Sequence, residues 1–336
     1  MKKNAKLLLV AFLIGVFAFV SCSKGETKVA ESTPAATAST ETKATTSAPA
    51  TPTAQPTVKR LKIGMSFQEL DNLYFVVMRE ALEDACKSIN ADVVVTDARH
   101  DVNKQISDIE DMVQDGINIL LINPTDSVGV QSAVETAHKA GVVVVAVDAQ
   151  ANGPIDSFCG SKNYDAGVMA GDALAKALGE KGEVAILDGI PVVPILQRVE
   201  GFKASMEKYP NMKIVDIQNG KQERSIALDV TENMIQAHPN LKGIFSVNDG
   251  GSMGALAAIE GSGKDIKLVS VDGNPEAVSA IQAGGPFIAT SAQFPRDQVR
   301  IGLGIALARY WGANVPAEIP VDVVLLDKSN SADFAW

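Results

Sequence analysis

Five apolar runs of this sequence end on polar side chains of one kind: Asn123 after "LLI", Asp148 after "VVAV", Asn248 after "IFSV", Asp272 after "LVSV" and Gln293 after "ATSA". Carboxylates accept hydrogen bonds and primary amides both donate and accept, so the set suits hydroxyl or amino groups. None of the five positions carries a lysine. A single Asn or Asp at such a place also serves as a turn former or helix N-cap, and for any one of them that reading stays open. Asn123 is the clearest case: Pro124 stops "ILLI" from continuing as a regular ladder and leaves the amide at the strand's carboxyl tip.

Motifs for bond-making chemistry fail on their partners. "GGSMG", 250–254, matches the nucleophile elbow Gly-x-Ser-x-Gly, but that order needs an acid and then a histidine downstream. The three histidines, His100, His138 and His238, all lie upstream, so the string reads as small residues opening a close-packed helix. The first strand runs into "IGMSFQELDN" with one glycine where a dinucleotide loop needs three, and "GSGKD" ends in Asp where a phosphate loop needs Ser or Thr. Isolated histidines and the absence of a calcium-loop pattern imply no metal, and no cofactor is implied either. The chain reads as a non-enzyme. Cys86, in an amphipathic helix, and Cys159, in a short strand, match no zinc or redox spacing and read as buried free thiols.

The tips need elements to hold them. From Leu61 onward, short apolar runs alternate with amphipathic segments: "LKIGMSF" then 73–89, "ADVVVTD" then 102–115, "INILLIN" then 127–140, and "VVVVAVD". After Phe158 the pattern repeats with "EVAILDG", "KIVDIQ", "KGIFSVND", "KLVSVD" and "FIATSAQ" between helical stretches. Alternation of this kind implies right-handed crossovers and parallel sheets covered on both faces. Some ten strands are more than one compact sheet holds, so the fold class is α/β with two doubly wound lobes, and ligands belong at the carboxyl ends of the strands.

At 336 residues, with 46% hydrophobic and 21% charged residues, the chain has room for two cores. Its formal charge is −10, and without the three lysines of residues 1–21 the count is 27 basic against 40 acidic, which excludes nucleic acid as a partner. Residues 1–21 read as a signal peptide: Lys2, Lys3 and Lys6 precede an apolar run from Leu7 to Val20, too short to span a membrane. The following "FVSC" resembles the lipobox of bacterial lipoproteins, with Phe19 in place of the usual Leu, and makes Cys22 the expected lipidation site. Residues 22–58 read as a flexible linker. From Ser23 to Val58 there is no Leu, Ile, Met or aromatic residue, and a coil of that length spans roughly 30 Å.

Taken together, "DNLYFVVM", "LLINPTDS", "VVVVAVDAQ", "RVEGF", "FSVNDGGSMGAL", "VSVDGNPEAV" and "ATSAQFPRDQ" resemble the periplasmic sugar-binding proteins of the ribose type, the type I receptors of ABC importers. The similarity runs in order from Lys59 to about Lys328. Sugar-responsive repressors share this core behind a helix-turn-helix, whereas here a signal segment and linker stand in that place. The resemblance implies two lobes joined by a three-strand hinge, 59–161 with 294–321 and 162–293 with 322–336, which close on a sugar or polyol. It further implies a monomeric, lipid-anchored protein of the periplasm or outer membrane face that delivers its ligand to the membrane subunits of an ABC permease. The alternative is a receptor presenting the ligand to a chemotaxis or signalling partner. Carried over by motif, the ligand contacts are Asn72, Tyr74, Phe75, Asn123, Asp148, Arg198, Asn248, Asp272 and Gln293, with Tyr74 and Phe75 offering a flat apolar face.

Two positions depart from the ribose pattern. Ala149 replaces the Arg that follows the first-lobe Asp, and Gln222 stands where an aromatic covers the sugar's second face. The loss of an Arg fork and an aromatic plane leaves room for a larger or more polar ligand, a hexose, an inositol or another polyol. Replacing Asp272 or Arg198 by Ala is expected to weaken binding with the fold intact.

Overall fold

The computed structural model describes residues 60–336; the signal segment, the linker and Cys22 lie outside the described residues. Along the chain come β1 (Lys62–Phe67), α1 (Leu73–Ser88), β2 (Asp92–Asp97), α2 (Val102–Gln114), β3 (Ile119–Ile122), α3 (Gln131–Lys139), β4 (Val143–Val147) and β5 (Ser157–Ser161). There follow α4 (Asn163–Ala177), β6 (Lys181–Asp188), α5 (Val193–Glu207), β7 (Asn211–Asn219), α6 (Arg224–Ala237), β8 (Leu241–Ser246), α7 (Asp249–Ser262), β9 (Lys267–Asp272), α8 (Pro275–Ala283) and β10 (Phe287–Ala292). The chain then adds α9 (Pro295–Tyr310), β11 (Glu318–Val321) and β12 (Val324–Asp327).

Two six-stranded sheets result, with orders β2-β1-β3-β4-β5-β11 and β7-β6-β8-β9-β10-β12. The two orders are the same pattern repeated. All pairings are parallel except that of β12 with β10. Geometry explains the exception. Two residues separate β11 from β12, so a strand that has just reached the carboxyl edge of the first sheet enters the second sheet from that edge and must run away from it. Pro320 sits in β11, an edge strand, where its missing N–H costs no ladder bond.

The chain passes between sheets three times: after β5, after β10 and after β11. Because α9 follows the second passage, it packs back on the first sheet through Val299, Leu303 and Ala306. Each sheet is buried on both faces, which is why its strands read as unbroken apolar runs. Leu121, Val145 and Val147 face one layer of the first sheet, and Leu120, Ile122, Val144 and Ala146 face the other. In the second sheet Ile186, Phe245, Val269 and Val271 face one layer, and Leu187, Ile244 and Leu268 the opposite one.

Local details follow the sequence reading. "GGSMG" opens α7, where a Cβ on Gly254 would run into the Arg224 carbonyl oxygen of α6, so the string serves close packing. "GSGKD" ends the same helix, with Gly263 at φ 65 as its left-handed cap. Cys86 and Cys159 are free and fully buried, and burial pushes their thiols up to about 11 and about 12.

Candidate functional site

At the carboxyl end of the first sheet, Asn123 and Asp148 stand just past β3 and β4. The Asn123 amide donates to Asp148 Oδ2 at 3.1 Å and to the Val147 carbonyl at 3.4 Å, while its own oxygen accepts from the Gln68 amide at 3.4 Å. Asn123 is fixed from below by Gln105 of α2, which donates to the Asn123 carbonyl at 2.9 Å and to Ser66 Oγ at 3.1 Å and accepts from the Thr125 amide at 2.8 Å. The sequence reading passed over Gln105. Its signal was a glutamine in phase with Ile109 and Met112, on the face of α2 that must be buried.

At the matching end of the second sheet, Asp272 ends β9 and Gln293 follows β10. Asp272 Oδ1 accepts from Arg198 Nη1 at 3.2 Å and from Gln293 Nε2 at 2.8 Å, and Oδ2 accepts from the Asp249 amide at 3.2 Å. Arg198, in the second turn of α5, also donates to the Val247 carbonyl and to Asn163 Oδ1, each at 2.8 Å. Its placement is a packing result. A Cβ on Gly167 of α4 would strike the Arg198 carbonyl oxygen and one on Gly201 would strike that of Tyr164, so the two glycines let α4 and α5 touch backbone to backbone.

The two halves meet. Tyr74 of α1 directs its hydroxyl at Gln293 Oε1, 3.5 Å away, and receives a hydrogen bond from Gln298 Nε2 at 2.7 Å. Asp148 lies within the fields of both Arg198 and Asp272: burial pushes its carboxyl up to about 6, the Arg198 guanidinium opposes this and the Asp272 charge adds to it. Burial also raises Asp272 and Tyr74 above their ordinary ranges, and Asp148 and Asp272 add to the shift of Tyr74. Asp148, Arg198 and Asp272 are 6%, 4% and 9% exposed, so all three side chains are withdrawn from solvent.

Both converging aspartates hold uncommon backbone. Asp148 has φ 67 and Asp272 φ 137, regions that non-glycine residues enter at a cost of about 1–3 kcal/mol and keep only where the surroundings enforce them. For Asp272 the enforcing residue is Asp249, fully buried, whose carboxylate accepts from Ser270 Oγ at 2.6 Å, Thr290 Oγ1 at 2.9 Å and the amides of Gly273 and Asn274 at 2.8 Å each. Burial and the neighbouring Asp272 charge push Asp249 up to about 7 against those bonds. Sequence reading missed Asp249 because it adjoins Asn248 and looks like ordinary first-turn acid.

The remaining carried-over residues divide. Asn72 and Asn248 are helix N-caps, accepting from the Tyr74 amide at 3.0 Å and the Gly251 amide at 3.1 Å. Asn248 also donates to the Gln222 carbonyl at 3.4 Å. Phe75 packs in the first core against Phe67, with ring centroids 6.1 Å apart, while Tyr74 is edge-on to Phe75 at 5.4 Å. Ala149 is buried beside Asp148, and Gln222, at φ 64, accepts from the Ile190 amide at 3.3 Å. Among the described residues one group could supply three metal ligands: Glu69, Asp71 and His100 bring ligand atoms within 4.8 Å of one another at the β1–α1 and β2–α2 loops. Burial pushes Glu69 up to about 8, with the neighbouring Asp71 carboxyl adding to the rise, while Asp71 itself is held low.

Two like sheets whose tips close on buried hydrogen-bonding groups define a two-lobed solute receptor. Residues 63–310 match the family model described as a periplasmic binding protein domain, and the chain belongs to that family of transport proteins, which are binding proteins rather than enzymes and work in the periplasm or otherwise outside the cytoplasm. It is similar to the ribose import binding protein of Bacillus subtilis, with 38% identity over 239 residues that cover 70% of this chain and 77% of the relative. Among solved structures it resembles a periplasmic solute-binding protein of an ABC transporter from Actinobacillus succinogenes with bound D-allose, at TM-score 0.77 and 31% identity, covering 82% of this chain and 100% of that one. It also resembles the Caulobacter myo-inositol binding protein bound to myo-inositol, at TM-score 0.77 and 28% identity, covering 84% and 98%.

Proposed function

We propose that this protein captures a neutral sugar or polyol between its lobes and delivers it to an ABC permease. The observation that carries this is that Asp148, at a tip of one sheet, and Asp272, at a tip of the other, are both buried within the field of a single guanidinium, Arg198, which pairs with Asp272 at 3.2 Å. Carboxylates outnumber the guanidinium, which disfavours an anion, and the guanidinium disfavours a cation; a molecule rich in hydroxyl groups satisfies both. Asp148 Oδ1 and the outward edges of Arg198 and Gln293 are the groups to which its hydroxyls would bond. Hydrogen bonds to charged groups contribute about 1.5–3 kcal/mol each, and a few of them support micromolar binding, near −8 kcal/mol, after the costs of association.

Ala149 and Gln222 favour a ligand larger than ribose, in line with relatives whose structures hold D-allose and myo-inositol. In this reading the lobes are 59–161 with 294–321 and 162–293 with 322–336, the ligand contacts are the set carried over above, and the mature protein is a monomer held to the membrane through Cys22. A thermal-shift screen across D-ribose, D-allose, myo-inositol, xylitol and uridine tests the ligand class, because a ligand bound by the native state alone raises the melting temperature. The largest shift is expected with the hexose or the inositol. A response to uridine alone would overturn the sugar reading.

A further inference from the structure

The segment that follows β12 leads from one lobe to the other. Gln282 of α8 holds it by donating to the Ser331 carbonyl at 2.8 Å. Phe334 packs with Val278, Ala292 and Leu326 of the second lobe and is edge-on to Phe294 at 5.9 Å. Two residues later, Trp336 packs against the first-lobe core. Its ring is edge-on to Tyr74, with centroids 5.6 Å apart at 88°, and Arg296 of α9 donates to its carbonyl at 3.0 Å. At the same time the Trp336 indole N–H donates to the Asp272 carbonyl at 3.1 Å.

We propose that Trp336 is a positioning residue that clasps the two lobes beside the cleft, holding Tyr74 of the first against the strained tip of β9 in the second. The idea rests on the proposed hinge-closing receptor. Any rotation about the three passages that separates Tyr74 from Asp272 must break either the aromatic edge contact or the N–H···O=C bond. Both contacts involve side-chain or backbone atoms of residues in the candidate site, so the clasp acts on ligand retention through them. Tyr74 is thereby gripped on three sides, by Phe75, Trp336 and the amide of Gln298.

The test uses the full chain with Cys22→Ser, Val128→Cys and Ser279→Cys, two exposed positions on opposite lobes, carrying spin labels; Cys86 and Cys159 are buried. Pulsed electron paramagnetic resonance reads the interlobe distance, and calorimetry with D-allose and myo-inositol reads binding. Trp336→Ala is expected to move the ligand-free distance distribution to longer values and, for a probe that binds, to weaken it about tenfold, the combined effect of one edge-to-face pair and one hydrogen bond. Trp336→Phe keeps the edge contact without the N–H and is expected to fall between. An unchanged ligand-free distribution in both variants overturns the clasp, whatever the binding data show. Failure of every probe to bind the parent sinks the sugar reading instead, and the ligand-free distances still decide on Trp336.

Discussion

Arg198 and Asp272 form a buried ion pair at 3.2 Å, one side chain arriving from α5 and the other from the tip of β9. The pair alters what truncation does. From sequence, Asp272→Ala and Arg198→Ala should spare the fold; in the structure each leaves a charge or several polar atoms stranded in the interior. Breaking one side of such a pair costs about 3–5 kcal/mol of stability. Urea unfolding of Asp272→Ala should show a loss of that order, with Asp272→Asn losing less, and ligand affinity should fall in both. An unfolding midpoint unchanged from the parent would contradict the buried pair.

Stability and binding should respond to pH with opposite signs at Asp148. Its folded carboxyl titrates near 6, above the ordinary value near 3.9, so its proton is kept where the unfolded chain has lost it. The stabilisation is complete below about pH 4 and is lost as pH rises through 6, by roughly 3 kcal/mol for a shift of this size. Unfolding free energies of the parent minus those of Asp148→Asn, followed from pH 4 to 7, should therefore decline. Ligand hydroxyls prefer the carboxylate as acceptor, so affinity should climb as pH passes 6 and binding should release protons, measured as a buffer-dependent enthalpy.

Alongside Tyr74, which also favours the ionised Asp148 carboxylate, Asn123 supplies a side-chain donor to Asp148 Oδ2 at 3.1 Å. Removing it in Asn123→Ala also strands the Gln68 amide, and a loss of about 1–3 kcal/mol is expected from unsatisfied buried groups. Asn123→Asp keeps the shape but places a second carboxylate against the first. The pH midpoint of the effect described for Asp148 should move upward in that variant, and a midpoint that stays near 6 would refute the contact.

Backbone contact between α4 and α5 should make Gly167 and Gly201 intolerant of a single methyl group. A Cβ at either position meets a carbonyl oxygen that cannot rotate away, and displacing α5 displaces Arg198. Gly167→Ala is expected to lower the melting temperature and weaken ligand binding together. Gly261, also helical but with open space around its Cβ, is the control: Ala there should be neutral or stabilising by up to about 1 kcal/mol.

The sequence alone determined the alternation of elements, the presence of two lobes and the polar residues at strand tips, because each of these is written in a local period: buried parallel strands are unbroken apolar runs, and the residue that ends a run must leave the sheet. The helix N-cap alternative at Asn248 was legible for the same reason, whereas Asn72 entered only through the family resemblance. Tertiary structure decided which polar tips converge and which merely cap helices, since that depends on how two sheets distant in sequence face each other. It alone revealed Asp249 and Gln105, whose roles lie in partners 18 to 41 residues away. Trp336 was beyond reach for the same physical reason: a residue after the last strand has no period to read, and its partners, Tyr74 and Asp272, become neighbours only when the hinge is built.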